Sequence, residues 1–482
     1  MSPELIAPRV DSRRAKLAGR AAEQIVADVI ELGWPVGQVL GSETELLERY
    51  GVSRAVLREA IRLVEHQHVA RMRRGTGGGL VISEPDIDAV IGPAVIYLLR
   101  VGATLDEIFD SRILLEELVA EIASRRAGEA DIAAVRDTLE REAAGTATNA
   151  RLLHRQLAEL TANPLLELFV ETFSRVSNLY FDEHVTRPDG LADDVRHAHD
   201  AIARAILTND AGLARERMKR HLSAEAEYIR NQPGTVQRLD PTVALTGAIG
   251  DKRGEALARE IFTWIAHSGA TPGTFVGSEA SLMEQHQASR AVVREAIRIL
   301  EYHQIAVTRR GPGGGLFVAE PDMAALTDII AIYLRRRGVS LRHILELRTG
   351  LELAVVARAA DRIRTAADPA GYAEQIEAAL RAEAEHGVAQ AFGSDEDFHS
   401  MLGALTGNSA IELLHRVTMR LGWQFFEQVA GGDPRLSAMS ESLPAVVGPA
   451  HRGIADALLA GDSELAVMRM RAHMTETAPE TI

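Results

Sequence analysis

A mainly α fold is predicted, in which two small modules of short helices and a glycine-centred hairpin each precede a helical bundle. Three observations predict it. The chain of 482 residues is written twice, each copy carries a glycine-rich, β-prone segment, and the remainder of each copy has helical apolar periodicity almost throughout. At roughly 150 residues per domain the length implies about three or more domains. A hydrophobic content of 46% with 25% charged residues is that of a soluble globular protein. The absence of cysteine removes disulfides, a cysteine nucleophile, thiolate zinc sites and iron–sulfur ligation, so any metal must sit on nitrogen and oxygen. The longest apolar stretch, Ala89 to Leu99, is too short to span a bilayer, and the basic N-terminus lacks the apolar core of a secretory leader. A cytoplasmic location is expected. The formal charge of −15 excludes indiscriminate coating of nucleic acid but leaves room for a local basic surface.

The repeat fixes the organisation. Gly41 to Arg62 returns as Gly277 to Arg298, with 14 of 22 positions identical at an offset of 236. The register continues through Arg73-Arg74-Gly75 and Arg309-Arg310-Gly311, the following glycine triplets, and Glu84-Pro85-Asp86 with Glu320-Pro321-Asp322. Solenoid units run about 20–50 residues, so this is a duplicated multidomain protein. The expected divisions are small modules at 12–86 and 251–322, bundles at 87–230 and 323–477, and a breaker-rich linker at 231–250.

In order along the first copy, Ser42 suits the N-cap of a short helix, as Ser278 does in the second. A turn at Tyr50-Gly51-Val52 leads to Ser53, which can cap a helix carrying Arg54, Arg58 and Arg62 on one side. Ala55, Leu57, Ile61 and Val64 are expected to serve its packed side. This order is that of a helix-turn-helix, whose second helix presents its first residues to base edges, and arginine grips guanine or phosphate with two donors. Val69 to Arg74 and Leu80 to Ile82 flank glycines and read as a hairpin, which completes a winged helix. A lone arginine stripe is ordinarily a solvated face. The glycines lead into a strand-like run and no GxxxxGK[ST] is present, which disfavours a nucleotide-binding loop. Helix, turn, arginine helix and basic hairpin in this order, twice, point to DNA. In the later part Ile108, Ile113, Leu114, Leu118 and Ile122 are expected on one side of a long helix, as plain bundle core.

Both halves resemble GntR-type bacterial transcription regulators of the FadR subfamily, which join a winged helix-turn-helix to an all-helical FCD effector domain. The resemblance implies DNA contacts from Ser53, Arg54, Arg58, Arg74 and Gly75, and from Ser289, Arg290, Arg294, Arg310 and Gly311. Two departures stand out. Thr44 and Ala280 occupy a position that is often arginine in the family, and Gln287-Ala288 replace the Gly51-Val52 turn.

Asp395 and His399 are four apart, a spacing that places them on one helical face, and His451 and His473 follow. One carboxylate and three imidazoles can hold zinc, nickel or manganese and leave positions open. Helical histidines are more often surface or core residues; the resemblance shifts the balance, because metal-binding FCD members use this Asp-x-x-x-His with two later histidines. It also implies His154, His199 and His221 as the first-half set, where Ala150 replaces the aspartate and Asn149 or water is the available substitute. Arg112 and Arg348 are implied as partners of a carboxylate effector; an ion pair to Glu116 or Glu352, four residues on, is the alternative. The expectation is a non-enzymatic regulator acting as a fused pseudo-dimer on a two-half-site DNA operator, controlled by a small carboxylate bound at a divalent metal, more readily in the second half. A metal-dependent hydrolase and a protein–protein scaffold are the competing classes.

Overall fold

The computed structural model describes residues 12–67, 69–73, 75, 78–84, 87–144, 152–180, 191–232, 235–244, 253–309, 311, 313–386, 397–430 and 434–477. It falls into two compact units that divide after Val90.

The first unit contains α1 (Ser12–Glu31), β1 (Val39–Gly41), α2 (Glu43–Tyr50), α3 (Arg54–His66), β2 (Ala70–Arg73) and β3 (Gly79–Ile82). The strands form one antiparallel sheet in the order β1-β3-β2, with Arg73 opposite Gly79 where the hairpin turns. Ser42 caps α2 in a reciprocal box with Glu45, and Gly51 ends it in the left-handed conformation at φ 61°. Ile25, Val29, Leu46, Leu57, Val64, Leu80 and Ile82 form the core. On α3 the packed side is Val56, Leu57, Ala60, Ile61 and Val64, while Ala55 is exposed. The expectation for Ala55 is corrected by the 100° helical step, which carries it round to the arginine side. At Gly79, φ is +152° and an added Cβ would lie 2.5 Å from the Gly41 carbonyl oxygen, so the close approach of β1 requires glycine. The three-residue strand β1 has no period for sequence reasoning to detect.

In the second unit α4 (Asp88–Arg100, from Ile91) leads to a first bundle of α5 (Leu105–Arg126), α6 (Glu129–Ala144), α7 (Leu152–Leu160), α8 (Pro164–Asn178), α9 (Leu191–Leu207) and α10 (Ala211–Arg230). A 3-10 turn at Pro241–Ala244 precedes α11 (Arg253–His267), β4 (Phe275–Gly277), α12 (Glu279–Gln285), α13 (Arg290–Tyr302), β5 (Ala306–Arg309) and β6 (Gly315–Val318). Their sheet order β4-β6-β5 and its register match the first sheet strand for strand. Where Gly51 stands in the first module, Gln287 takes the left-handed backbone at φ 49°. Then follow α14 (Met323–Arg336) and a second bundle of α15 (Leu341–Thr365), α16 (Ala370–His386), α17 (Phe398–Leu405), α18 (Ser409–Ala430), α19 (Pro434–Leu459) and α20 (Ser463–Glu476).

The second winged module closes its core over α4: Ile96 joins Phe262, Leu282, Leu300, Ile305 and Leu316 in one apolar cluster. Arg100, at the end of α4, donates to the carbonyls of Gln304 at 2.5 Å and Ala319 at 2.6 Å, which flank the hairpin of that module. The two bundles meet through paired devices. Asn163 caps α8 and donates through Nδ2 to the His343 carbonyl at 2.9 Å, while Asn408 caps α18 and donates to the Glu107 carbonyl at 3.0 Å. Arg126 pairs with Glu346, and Arg358 with Asp110. These contacts explain a second correction. On α5 only Ile108 and Ile122 of the expected stripe are fully buried in company with Leu115 and Val119, whereas Ile113, Leu114 and Leu118 are half-buried, and Leu118 lies beside Gly350 of α15. The helix is covered on more than one side, so one stripe does not account for it.

Candidate metal centres and nucleic-acid interface

Ser53 is the N-cap of α3, its hydroxyl accepting from Val56 N at 3.3 Å, and Ser289 repeats this on α13 with Val292 N at 3.4 Å. The caps fix the first turns, which carry the arginines. Arg54 and Arg58 are both 65% exposed and share Glu43, at 3.5 and 3.1 Å; Arg290 and Arg294 share Glu279, each at 3.0 Å. Exposed pairs of this kind are worth about 0–1 kcal/mol, so the acidic residue orients the guanidinium groups without binding them tightly. Glu65 accepts from Met72 N at 2.8 Å and Glu301 from Thr308 N at 3.0 Å, which ties each arginine helix to its hairpin. Gly75 and Gly311 are exposed beyond the strands; Arg74 and Arg310 lie outside the described residues.

The histidines converge from separate helices. In the first bundle α7 brings His154, α9 brings His199 and α10 brings His221, all buried. The Nε2 of His221 is 3.2 Å from that of His154 and 3.1 Å from that of His199. Nδ1 of His154 faces Glu116 of α5, and Nδ1 of His199 faces Glu142 of α6 at 2.7 Å. In the second bundle α17 brings His399, α19 His451 and α20 His473, with Nε2 separations of 3.2, 3.3 and 3.4 Å. There Glu352 of α15 lies 2.8 Å from His399 Nδ1, and Glu383 of α16 2.8 Å from His451 Nδ1. At His154, His199, His399 and His451 the carboxylate beside Nδ1 favours the ring proton there and leaves the Nε2 lone pair facing the other histidines.

Electrostatics favour the neutral imidazole at His221, His451 and His473. Burial, then the neighbouring His154 and His199, holds His221 well below the usual histidine range, and burial with His399 and His451 takes His473 down to about 2. Burial also lowers His451. At His399 burial acts the same way, but the Glu352 carboxylate outweighs it and the pKa is raised. Lone pairs of neutral imidazoles so close together repel, and a divalent cation at their centre removes the repulsion, so this donor set fits zinc, nickel or manganese. The helix α17 that carries His399 begins at Phe398, with the buried Asp397 as its N-cap accepting from His399 N at 3.2 Å. Asp395 and Ala150 lie outside the described residues.

The first-half arginine is buried among protein partners at Nε and Nη1. Arg112 is 1% exposed; its Nε donates to Glu116 at 3.0 Å and its Nη1 to Ser177 Oγ at 3.1 Å and to Glu225 at 3.2 Å. Burial would raise the Glu116 carboxyl, but His154 and Arg112 beside it hold it at about 2. Arg348 is 15% exposed and pairs with Glu352 at 3.6 Å. The expected ion pairs to Glu116 and Glu352 are thus present, and each glutamate also serves a histidine. Sequence reasoning missed Glu142, Glu383, Glu225 and Ser177. Glu225 alone had a spacing signal, one helical turn after His221.

Two winged helices, each followed by a helical bundle that holds a buried histidine triad, define a DNA-binding class of protein. Residues 107–224 and 343–476, together more than half of the chain, match the FCD domain family, and residues 17–79 match "Bacterial regulatory proteins, gntR family". The chain belongs to the FCD-domain family of GntR-type regulators. It is 28% identical over 215 residues to the Uxu operon regulator of Haemophilus influenzae, covering 42% of this chain and 78% of that protein. It is 29% identical over 220 residues to the Uxu operon transcriptional regulator of Escherichia coli (40% and 79%), and 25% over 202 residues to the HTH-type transcriptional regulator LutR of Bacillus subtilis (39% and 89%). Among solved structures, Streptococcus agalactiae GntR is similar at 20% identity with a TM-score of 0.34, covering 44% of this chain and 99% of that one. Among the described residues no helix is long and apolar enough to cross a membrane.

Proposed function

We propose that the chain is a sequence-specific transcriptional regulator of the FadR subfamily type, duplicated in tandem, that reads a two-half-site operator as a pseudo-dimer within one chain. The observation that carries this is the serine-capped, exposed arginine pair at the start of α3, repeated at the start of α13 and tied each time to a hairpin. That is the arrangement a major-groove reader needs. The reciprocal use of Asn163 and Asn408 supports bundles that associate as the two subunits of a dimer would.

His154, His199 and His221, and His399, His451 and His473, would each hold a divalent ion. Such an ion supplies a positive centre with open positions for an anionic ligand. The protein's part is to present neutral imidazoles, exclude water and offer Arg348 to a carboxylate of the effector. An effector that binds one arrangement of the bundles better than another shifts the affinity for DNA by that difference.

The test is fluorescence anisotropy with DNA from upstream of the gene, at several salt concentrations. Binding is expected to be sequence-selective and to fall with salt. Arg54→Ala with Arg58→Ala should abolish selectivity, each lost phosphate contact flattening the slope of log K against log salt by about 1. Selective binding that survives loss of both arginine pairs defeats the proposal.

A further inference from the structure

A buried arginine stands behind the first histidine triad without belonging to it. Arg112 and Glu116 of α5 are each 1% exposed and one helical turn apart, and Nε of the arginine donates to one carboxylate oxygen at 3.0 Å. The other oxygen of Glu116 meets Nδ1 of His154, which α7 brings to the triad. A carboxylate is planar, so holding one oxygen fixes the direction in which the second faces the imidazole.

Arg112 is itself held by two other helices. Its Nη1 donates to Ser177 Oγ of α8 at 3.1 Å and to Glu225 of α10 at 3.2 Å, and its guanidinium carbon lies 5.2 Å from the centre of the Phe109 ring. Glu225 follows His221 by one helical turn on α10. One planar cation thus ties α5 to α8 and α10, and through Glu116 to α7, so that it reaches two of the three helices that carry the histidines. A guanidinium can do this because its nitrogens point in fixed and different directions, whereas a lysine ammonium is a single point charge. Buried ion pairs stabilise little more than apolar packing would, and their attested use is to fix one arrangement.

We propose that Arg112 is a positioning residue of the first metal pocket: it fixes the Glu116 carboxylate that orients His154, and so sets how tightly that pocket holds a divalent ion. This rests on the reading that the first triad binds metal. It assigns Arg112 to the service of the ion and not to the carboxylate of an effector.

The experiment is zinc competition with a chromophoric chelator on the full-length chain, the first pocket being the one whose affinity His199→Ala abolishes. Glu116→Gln should weaken that affinity by about 10–100-fold, the usual cost of losing a group that orients a metal-bound histidine. Arg112→Lys should weaken it by about 10-fold and leave the second pocket unchanged. In the Glu116→Gln background Arg112→Lys should have less than about a twofold further effect, because its route to the ion is already cut. Additive losses, which a merely structural arginine would give, overturn the proposal. So does an unchanged zinc affinity in a folded Arg112→Lys protein, or an equal loss in both pockets. Circular dichroism checks folding; should Arg112→Lys not fold, Arg112→Gln with Glu225→Gln removes one charge of each sign and is read in the same cycle. A parent chain with no zinc affinity that depends on His199 defeats the metal reading itself, and with it the role given to Arg112.

Discussion

Replacing Glu383 by glutamine removes one charge from the second histidine pocket and leaves one acceptor oxygen where the carboxylate has two, with an amide donor in the other place. The carboxylate is buried, lies 2.8 Å from His451 Nδ1 and accepts from Phe398 N at 3.3 Å, so it sets the tautomer of one imidazole and steadies the start of the helix that carries another. Loss of a group that orients a metal-bound histidine typically weakens metal affinity by about 10–100-fold, which is about 1.4–2.7 kcal/mol. Competition with a chromophoric zinc chelator, using the full chain, should show one of two zinc affinities lowered by that factor and the other unchanged. Glu142→Gln should exchange which site is affected, because Glu142 holds His199 in the same way at 2.7 Å. Since zinc bound only to the folded state adds its binding free energy to stability, the variant should also lose a few degrees of zinc-dependent thermal stabilisation. A zinc affinity within twofold of the parent would refute the reasoning. So would a loss of stability of equal size with and without zinc, which would make Glu383 a packing contact alone.

Other perturbations test the scaffold. Asn408→Ala removes an N-cap and a hydrogen bond to the Glu107 carbonyl, and should cost about 1–3 kcal/mol in urea denaturation; Asn163→Ala should match it, and a neutral result in both would mean that the bundles are held by apolar packing alone. Gly315→Ala forces a side chain to within 2.7 Å of the Gly277 carbonyl oxygen at φ +155°, and should destabilise the second module by more than about 1 kcal/mol, read by hydrogen exchange across 275–318. Tyr180 is pushed up to about 12, by burial first and then by Glu107. The fold therefore favours its neutral form. The stability it contributes is whole below pH 10 and is lost as pH rises through 12, so Tyr180→Phe should flatten the alkaline arm of the urea midpoint against pH.

The repeat, the arginine helices and the hairpins were legible because each leaves a local mark: a constant offset, an N-cap serine, a glycine cluster; the histidine sets came through the family resemblance, supported by a 22-residue interval between His199 and His221 that recurs between His451 and His473. The carboxylates behind the histidines were not. Glu142 and Glu383 sit at an offset of 241, not 236, because the bundles differ in loop length, and neither lies near the histidine it faces in sequence. Glu116 was visible only as a partner of Arg112, since a spacing of four reports one helix face and says nothing of what α7 places opposite it. Ile113, Leu114 and Leu118 misled for a related reason: periodicity reports that a face is apolar, not whether the bundle or the other half covers it.

The docking of the second winged module also left no mark in the sequence, and it bears on how a ligand could reach a DNA reader. Arg100 closes α4 with two charge-assisted bonds to carbonyls on either side of the β5–β6 hairpin, while Ile96 of the same helix enters the module's core. Between them they fasten that module to a helix of the first half, the helix that leads directly into α5 with Arg112 and Glu116. Arg100→Met keeps the aliphatic stem and removes both bonds, each worth about 1.5–3 kcal/mol when a charged donor is involved. Hydrogen exchange across 253–318 should accelerate by at least tenfold, with exchange across 12–82 unchanged, and DNA affinity should fall through the second half-site alone. Equal acceleration in both modules would mean that Arg100 stabilises the chain generally. Unchanged exchange in both would mean that the apolar cluster around Ile96 suffices to hold the second module.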